Sequence, residues 1–396
     1  MAARNPFSCL IIGGGPAGIS TALFLAHAAP ELRPRILVIE KDRYPREKYC
    51  AGAVGARGER ILAAIGVTVD VPGVPIGGIA LRALGETRVV REPDVGRVVR
   101  RIEFDHALAV AAKKRGIAVR DSVRATSVEV SPGGVTVRTD QGELRADVVV
   151  GADGVTSLVR RAMGIEASPY VAQALEVDTE PVPGDLPRDV LFFDLSRRDL
   201  RGYYWDFPTV VGGRALVCRG VYALKPRERH EAKEIEQILA EELAKRGLEL
   251  GAFRKKRYAE RGFFPASVVS SPRLLLVGEA LGIDPVTGEG IAQAIQYGAA
   301  AGQYLARKLR SGDVVLEDWK SAMRRAAVGR DLLIRTGTVG LAYGAHRPAI
   351  ERFVLDTPEF LTVGLGHFGG KPWSKRALAR LALSATRATA RKLFPG

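Results

Sequence analysis

Cysteine is scarce in this chain. Cys9, Cys50 and Cys218 are the three among 396 residues, and no two form a C-x-x-C pair. A zinc ribbon or a cysteine-held iron–sulfur cluster is thereby excluded, and a reducing, cytoplasmic setting fits best. Long apolar runs are missing too, so no spanning helix is expected. Internal repeats, long linkers, nucleic-acid modules and a second G-x-G-x-x-G segment are also lacking. Acidic residues are outnumbered, 44 against 59 Lys and Arg, for a net charge of +15. That excess favours phosphate-bearing molecules or anionic lipid surfaces. With no binding module beside the charge, no nucleic-acid partner is expected.

What is present starts with Cys9 to Gly18, CLIIGGGPAG. An apolar strand pattern ends in Gly13-Gly14-Gly15-Pro16-Ala17-Gly18 and a helical pattern follows at once. Gly13 suits a tight turn, Gly15 lets a pyrophosphate approach the backbone, and Gly18 lets the helix pack on the strand. A second strand, Arg35 to Glu40, ends in an acid placed for ribose hydroxyls, followed by Lys41. Arg4 and the apolar run after it mimic a signal peptide. The glycines and the helix-starting Pro16 inside that run assign it to the folded domain instead.

Periodicity predicts a helix near Ala56 to Ile65, short broken strands from Val67 to Arg100, and a helix from Arg101 through Lys114. Ser131-Pro132-Gly133-Gly134 reads as a hairpin turn, and Ala146 to Val150 as a buried strand. From about Ile165 to Ser271 aromatic strand-like runs dominate, broken by one charged helix near His230 to Arg246. Leu274 to Gly278 returns to the first pattern, and a small-residue helix spans about Gly290 to Leu309. The fold class is α/β: a Rossmann-like dinucleotide domain, an inserted antiparallel sheet and a helical C-terminal region. Residues 1–75, 100–165 and 272–312 are assigned to the first, 76–99 and 166–271 to the second, and 313–396 to the third.

Two further motifs accompany the glycine turn: Gly151-Ala152-Asp153-Gly154, and Gly278-Glu279-Ala280 running on to Asp284-Pro285-Val286-Thr287-Gly288-Glu289-Gly290-Ile291. With the first motif, these resemble the flavoprotein superfamily typified by para-hydroxybenzoate hydroxylase and, within it, the geranylgeranyl reductases. The resemblance implies FAD. Asp153 and Gly154 would lie near its pyrophosphate, Gly278 and Glu279 would belong to the FAD-contacting third motif, and Asp284 would approach the ribityl hydroxyls. Backbone N–H groups from Gly288, Gly290 and Ile291 would face the flavin's polar edge, where a helix start stabilises developing negative charge. Glu279 departs from the aspartate usual in that motif. Arg101 matches a position where the superfamily often places a flavin-contacting arginine.

Gly202 to Pro208, GYYWDFP, resembles the family's YxWxFP motif, and strand alternation puts Tyr203, Trp205 and Phe207 on one face, a wall for an apolar chain. Thr209 follows where the family often has lysine. The loop from Tyr44 to Gly52 partly resembles the family's PxxYxxWxCGG loop, with Tyr49 in the tryptophan position and Cys50 matching the cysteine. The expected activity is reduction of carbon–carbon double bonds in a prenyl chain of a lipid, quinone or secondary metabolite. NAD(P)H or another reduced carrier would supply electrons. Cys50, Tyr203 and Trp205 are the candidate catalytic residues, and Tyr49, Tyr203, Trp205 and Phe207 the substrate wall. Tyr203, Tyr49, Cys50 and solvent are the candidate proton donors. The alternatives are a flavin monooxygenase or halogenase acting on an aromatic or polyketide-like molecule, and an electron-transfer flavoprotein serving a membrane quinone. The tail, from Lys371 through Trp373 to Phe394, is a basic amphipathic pattern suited to peripheral contact with an anionic membrane.

Overall fold

The computed structural model describes residues 5–165, 168–225 and 232–371. In chain order the first elements are β1 (Phe7–Ile12), α1 (Pro16–Ala28), β2 (Ile36–Ile39), β3 (Ala53–Gly55), α2 (Ala56–Ala63), β4 (Gly73–Ala83) and β5 (Glu86–Val99). Next come α3 (Arg101–Lys114), β6 (Ala118–Arg120), β7 (Ala125–Ser131), β8 (Gly134–Thr139), β9 (Gly142–Gly151) and α4 (Leu158–Ala162). They are followed by β10 (Val171–Thr179), β11 (Val190–Asp194), β12 (Gly202–Val211), β13 (Arg214–Lys225), α5 (Ala232–Ala244) and β14 (Lys256–Arg261). The chain then runs through β15 (Ser270–Ser271), β16 (Leu274–Leu276), α6 (Ile291–Arg310), α7 (Trp319–Arg325), α8 (Ala327–Tyr343), α9 (Arg347–Asp356) and α10 (Pro358–Phe368).

One sheet has the order β15-β16-β9-β1-β2-β6, and β16 through β6 pair in parallel. β2 and the end of β9 are unbroken apolar runs, and β1 is apolar but for the buried Ser8, as the middle of a parallel sheet requires. The β7–β8 hairpin extends from β9. The other sheet has the order β14-β10-β13-β12-β11-β4-β5-β3 and is antiparallel except between β11 and β4. Residues 67–100 differ from their expected short strands. They form two long strands, β4 and β5, with a register shift between Ile76 and Gly78. A bulge absorbs the glycine-rich stretch that reads, in sequence, as a break.

Alternation gives this second sheet two different faces. Tyr204, Val221 and Leu175 point to one side, where Ile235, Leu239 and Leu243 of α5 cover them. Tyr203, Trp205, Phe207 and Tyr222 point to the other, in one cluster with Val339, Tyr343, Leu361 and Leu365 from α8 and α10. Burying each such side chain is worth about 1.5–3 kcal/mol, so the aromatic face also holds the C-terminal helices in place. Trp319 anchors α7 to the first sheet, donating from Nε1 to the Leu276 carbonyl at 3.1 Å. Among the described residues no helix is long and apolar enough to cross a membrane. The basic tail lies outside the described residues, apart from Lys371, which pairs with Glu92.

Candidate active site

A cavity of about 880 Å³ runs along the seam between the two sheets. The β1–α1 turn walls one end, and β12, α8 and α10 wall the other. At the turn, Gly13 has a φ of +109°, which only glycine adopts freely. Gly18 carries no side chain because a Cβ there would lie 1.9 Å from the Gly13 carbonyl oxygen. Its place is therefore the packing of helix on turn, and it does not reach the cavity. Gly13, Gly15, Pro16 and Ala17 do. α1 starts at Gly15 without a side-chain cap, leaving orphan N–H groups and the positive dipole end at the cavity wall.

Glu40 follows β2 beneath this turn. Its Oε2 accepts from the Gly14 N–H at 2.9 Å, and Oε1 from the Asp42 N–H at 3.2 Å. Arg46 reaches in from the following loop, 3.2 Å from Glu40 and 3.1 Å from Asp105. Arg101 grips Asp105 with two bonds of 2.7 and 2.8 Å. Burial works against the Arg101 charge, and the Asp105 carboxylate outweighs it, holding the guanidinium above its usual range. Arg46 and Arg101 thus stand as fixed cations near Gly15, a chemistry suited to a diphosphate. Lys41 lines the same end from an exposed position.

The second motif lies beside the glycine turn, and its acid also has a local task. Asp153 lines the cavity, but its carboxylate accepts from Ser157 Oγ at 2.5 Å and from the Leu158 and Val159 N–H groups at 2.6 and 3.3 Å. It is occupied in closing the start of α4, and Gly154 beside it presents backbone only. Gly278 (φ +58°) is also a packing position, since a Cβ would stand 2.6 Å from Ala17 Cβ. Glu279 lines the cavity and faces Lys48 at 3.7 Å.

Asp284 is the clearest departure. Its carboxylate does not line the cavity; it accepts from the Val286 and Thr287 N–H groups at 2.8 and 3.2 Å and pairs with Arg335 at 2.5 Å. A buried acid in a turn is satisfied first by the nearest donors, and here its own loop supplies them. Gly288 likewise donates its N–H back to the Asp284 carbonyl at 3.2 Å, which removes it from the expected donor set. Glu289, Gly290 and Ile291 line the cavity where α6 begins without a side-chain cap.

Three tyrosines hold this loop by consecutive carbonyls. Tyr222 donates to Pro285 at 3.0 Å, Tyr343 to Val286 and Tyr203 to Thr287 at 2.5 Å. Burial pushes the Tyr203 phenol far up, so its proton stays on the phenol oxygen, donated to the loop carbonyl. Tyr203 and Tyr222 stack at 5.2 Å, while Phe193 meets Tyr203 and Phe207 edge-on at 5.1 Å each. Trp205 completes the wall. Cys50 lies in the opposite loop, accepting from the Gly52 N–H at 3.4 Å, and burial pushes its thiol up although Arg101 pulls it down. Tyr49, half-buried at the mouth, accepts from Arg254 at 2.9 Å.

Sequence reading missed a buried ionic cluster behind the loop. Arg335 contacts Asp284, Glu289 at 3.0 Å and Asp331 at 3.1 Å; Arg57 contacts Glu289 at 2.6 Å and Asp331 at 3.4 Å. His367 Nε2 lies 3.0 Å from Asp331. Burial opposes ionisation of Asp331, but the His367 hydrogen bond and the Arg335 and Arg57 charges outweigh it and hold the carboxyl below its usual range. The one available signal was the arginine-aspartate spacing of Arg335 and Asp331, an i,i+4 pair. Arg57 and His367 lie on α2 and α10, with nothing local to link them.

Residues 7–335 match the model of the FAD binding domain family, and fold and site together define an FAD-dependent oxidoreductase. Over 324 residues, 78% of this chain and 80% of the relative, the sequence is 30% identical to digeranylgeranylglycerophospholipid reductase 2 of Methanothermobacter thermautotrophicus. The chain belongs to the geranylgeranyl reductase family. A geranylgeranyl bacteriochlorophyll reductase-like protein of Thermoplasma acidophilum shares the fold (TM-score 0.73, 23% identity, 98% of this chain and 99% of that one). The halogenase PltM does as well, at a TM-score of 0.69 and 15% identity over 98% and 92% of the two chains.

Proposed function

We propose that the enzyme reduces carbon–carbon double bonds in the prenyl chain of a lipid, quinone or secondary metabolite, with NAD(P)H or another reduced carrier as electron source. The observation that carries this reading is the far end of the cavity. Tyr203, Trp205, Phe207, Phe193, Leu361 and Leu365 make a wall with an apolar surface, and Ile334 and Phe360 are exposed where α8 and α10 flank the opening. A prenyl chain fits such a wall because its transfer from water is favourable along its whole length. The name of the Methanothermobacter relative supports a lipid of this kind.

The residues present fit FAD. The uncapped start of α1, Arg46 and Arg101 would hold the pyrophosphate, Glu40 the ribose, and the uncapped start of α6 the flavin edge. Bound FAD supplies the two-electron reducing chemistry. The protein holds the loop 284–290 rigid through the three tyrosines and the Arg335 cluster, and it excludes water with the aromatic wall. Anaerobic single turnover of the reduced holoenzyme with prenylated lipids tests the reading. A product heavier by the hydrogens of one reduced double bond is expected; strict need for oxygen, with oxygen or halide in the product, overturns it.

A further inference from the structure

The reduction needs a proton as well as electrons, and the groups expected to supply it are engaged elsewhere. Tyr203 and Tyr222 donate to loop carbonyls, and Tyr258 donates to Glu176 at 3.0 Å. Tyr49 accepts from Arg254 at the exposed mouth. Buried phenols and a buried thiol are also weak acids, since burial raises them further.

Glu260 is different. It sits on β14 two residues after Tyr258, so both point to the cavity face, and both line the cavity with Tyr222 and Cys50. Its Oε2 is shielded and has no hydrogen-bond partner among the described residues. A Cβ at Gly288 would lie 2.6 Å from that oxygen and 3.1 Å from the Tyr222 ring, so only glycine leaves the carboxyl its space beside the start of α6. Glu279, Asp284 and Glu176 face it as acids, and the Lys48 cation opposes them. Burial, followed by the Glu279 charge, pushes the Glu260 carboxyl well up, which favours its neutral form. A carboxyl's ordinary range lies far below a phenol's, and burial raises both here.

Resting on the prenyl-reduction reading, we infer that Glu260 is the internal acid of this site, donating a proton to the substrate carbon. The double bond loses its π pair and gains two C–H bonds. One hydrogen arrives with two electrons from reduced flavin, which is left oxidised, and the other comes as H⁺ from the Glu260 carboxyl. The carboxylate then regains a proton from water.

Wild-type and Glu260→Gln holoenzymes test this in two ways. Infrared titration of the wild type is expected to show the carbonyl band of a neutral carboxylic acid near neutral pH, absent in E260Q. Anaerobic single turnover with a prenylated lipid is expected to slow by about 10²- to 10⁴-fold in E260Q, the range of general-acid effects. Flavin content and flavin reduction by the donor stay unchanged, and Glu260→Asp recovers part of the loss. The wild-type rate is expected to fall as pH rises through the raised Glu260 range, and E260Q to be flat there. A wild type without the acid band, or an E260Q variant at wild-type speed, overturns the inference. A wild type that reduces no prenyl alkene overturns the functional reading instead, and the infrared band then still decides whether Glu260 holds a proton.

Discussion

At one end of the cavity Gly13, Gly15, Pro16 and Ala17 come from a single turn, and their geometry is set by neighbours in the chain. At the other end Tyr203, Tyr222 and Tyr343 come from β12, β13 and α8, and all three converge on a loop from a fourth place. The turn works with backbone N–H groups and a helix dipole, which need no partner from afar. The far end works with side chains whose bonds exist only in the assembled protein. A local device tolerates distant change and fails with its own backbone, whereas an assembled one fails when any contributor is lost.

The sharpest test of this contrast is Gly18→Val. Its Cβ would collide with the Gly13 carbonyl oxygen, and rigid backbone cannot yield. A loss beyond about 4 kcal/mol is expected, read as disappearance of folded, flavin-containing protein. Arg335→Met comes next. It strands Asp284, Glu289 and Asp331 with fewer countercharges, and a cost of about 3–5 kcal/mol in urea unfolding is expected. Unlike the glycine variant, it should still bind the adenosine end of FAD, as its ADP-competition curve would show.

Asp331→Asn follows in size and carries the pH dependence. The Asp331 carboxyl is depressed from an ordinary 3.8, so its stabilisation is fully present above that value and is lost as pH falls below it. Unfolding free energy measured down the acid limb should therefore drop more steeply for wild type than for D331N. Phe207→Leu keeps a similar apolar volume in the wall and should cost about 1–1.5 kcal/mol. Its expected signature is a raised KM for the prenyl substrate with flavin content intact, and an equal loss of flavin would break the division between the two ends. Smallest is Tyr49→Phe at the exposed mouth, expected within about 0.5 kcal/mol of wild type by thermal melting.

Much of this architecture was readable before the structure. The strand–turn–helix of β1 and α1, the acid at Glu40 and the aromatic alternation of β12 follow from local spacing, and all three segments line the cavity. Asp284 misled because its motif specifies a turn, while the direction of its carboxylate depends on Arg335, brought in by α8. Arg46 carried no signal, since its reach to Glu40 and Asp105 depends on the path of the loop that bears it. Glu260 carried no signal either, since only the sheet places it against Gly288.

By itself the sequence determined the dinucleotide turn, the family and the face that each strand residue takes, because these depend on steric and periodic rules acting over a few residues. Only the tertiary structure decided which acids are neutralised, which tyrosines are occupied, and which carboxyl is left shielded in the cavity. Those outcomes depend on desolvation and on partners from distant segments, and neither exists until the two sheets and the C-terminal helices close around the same space.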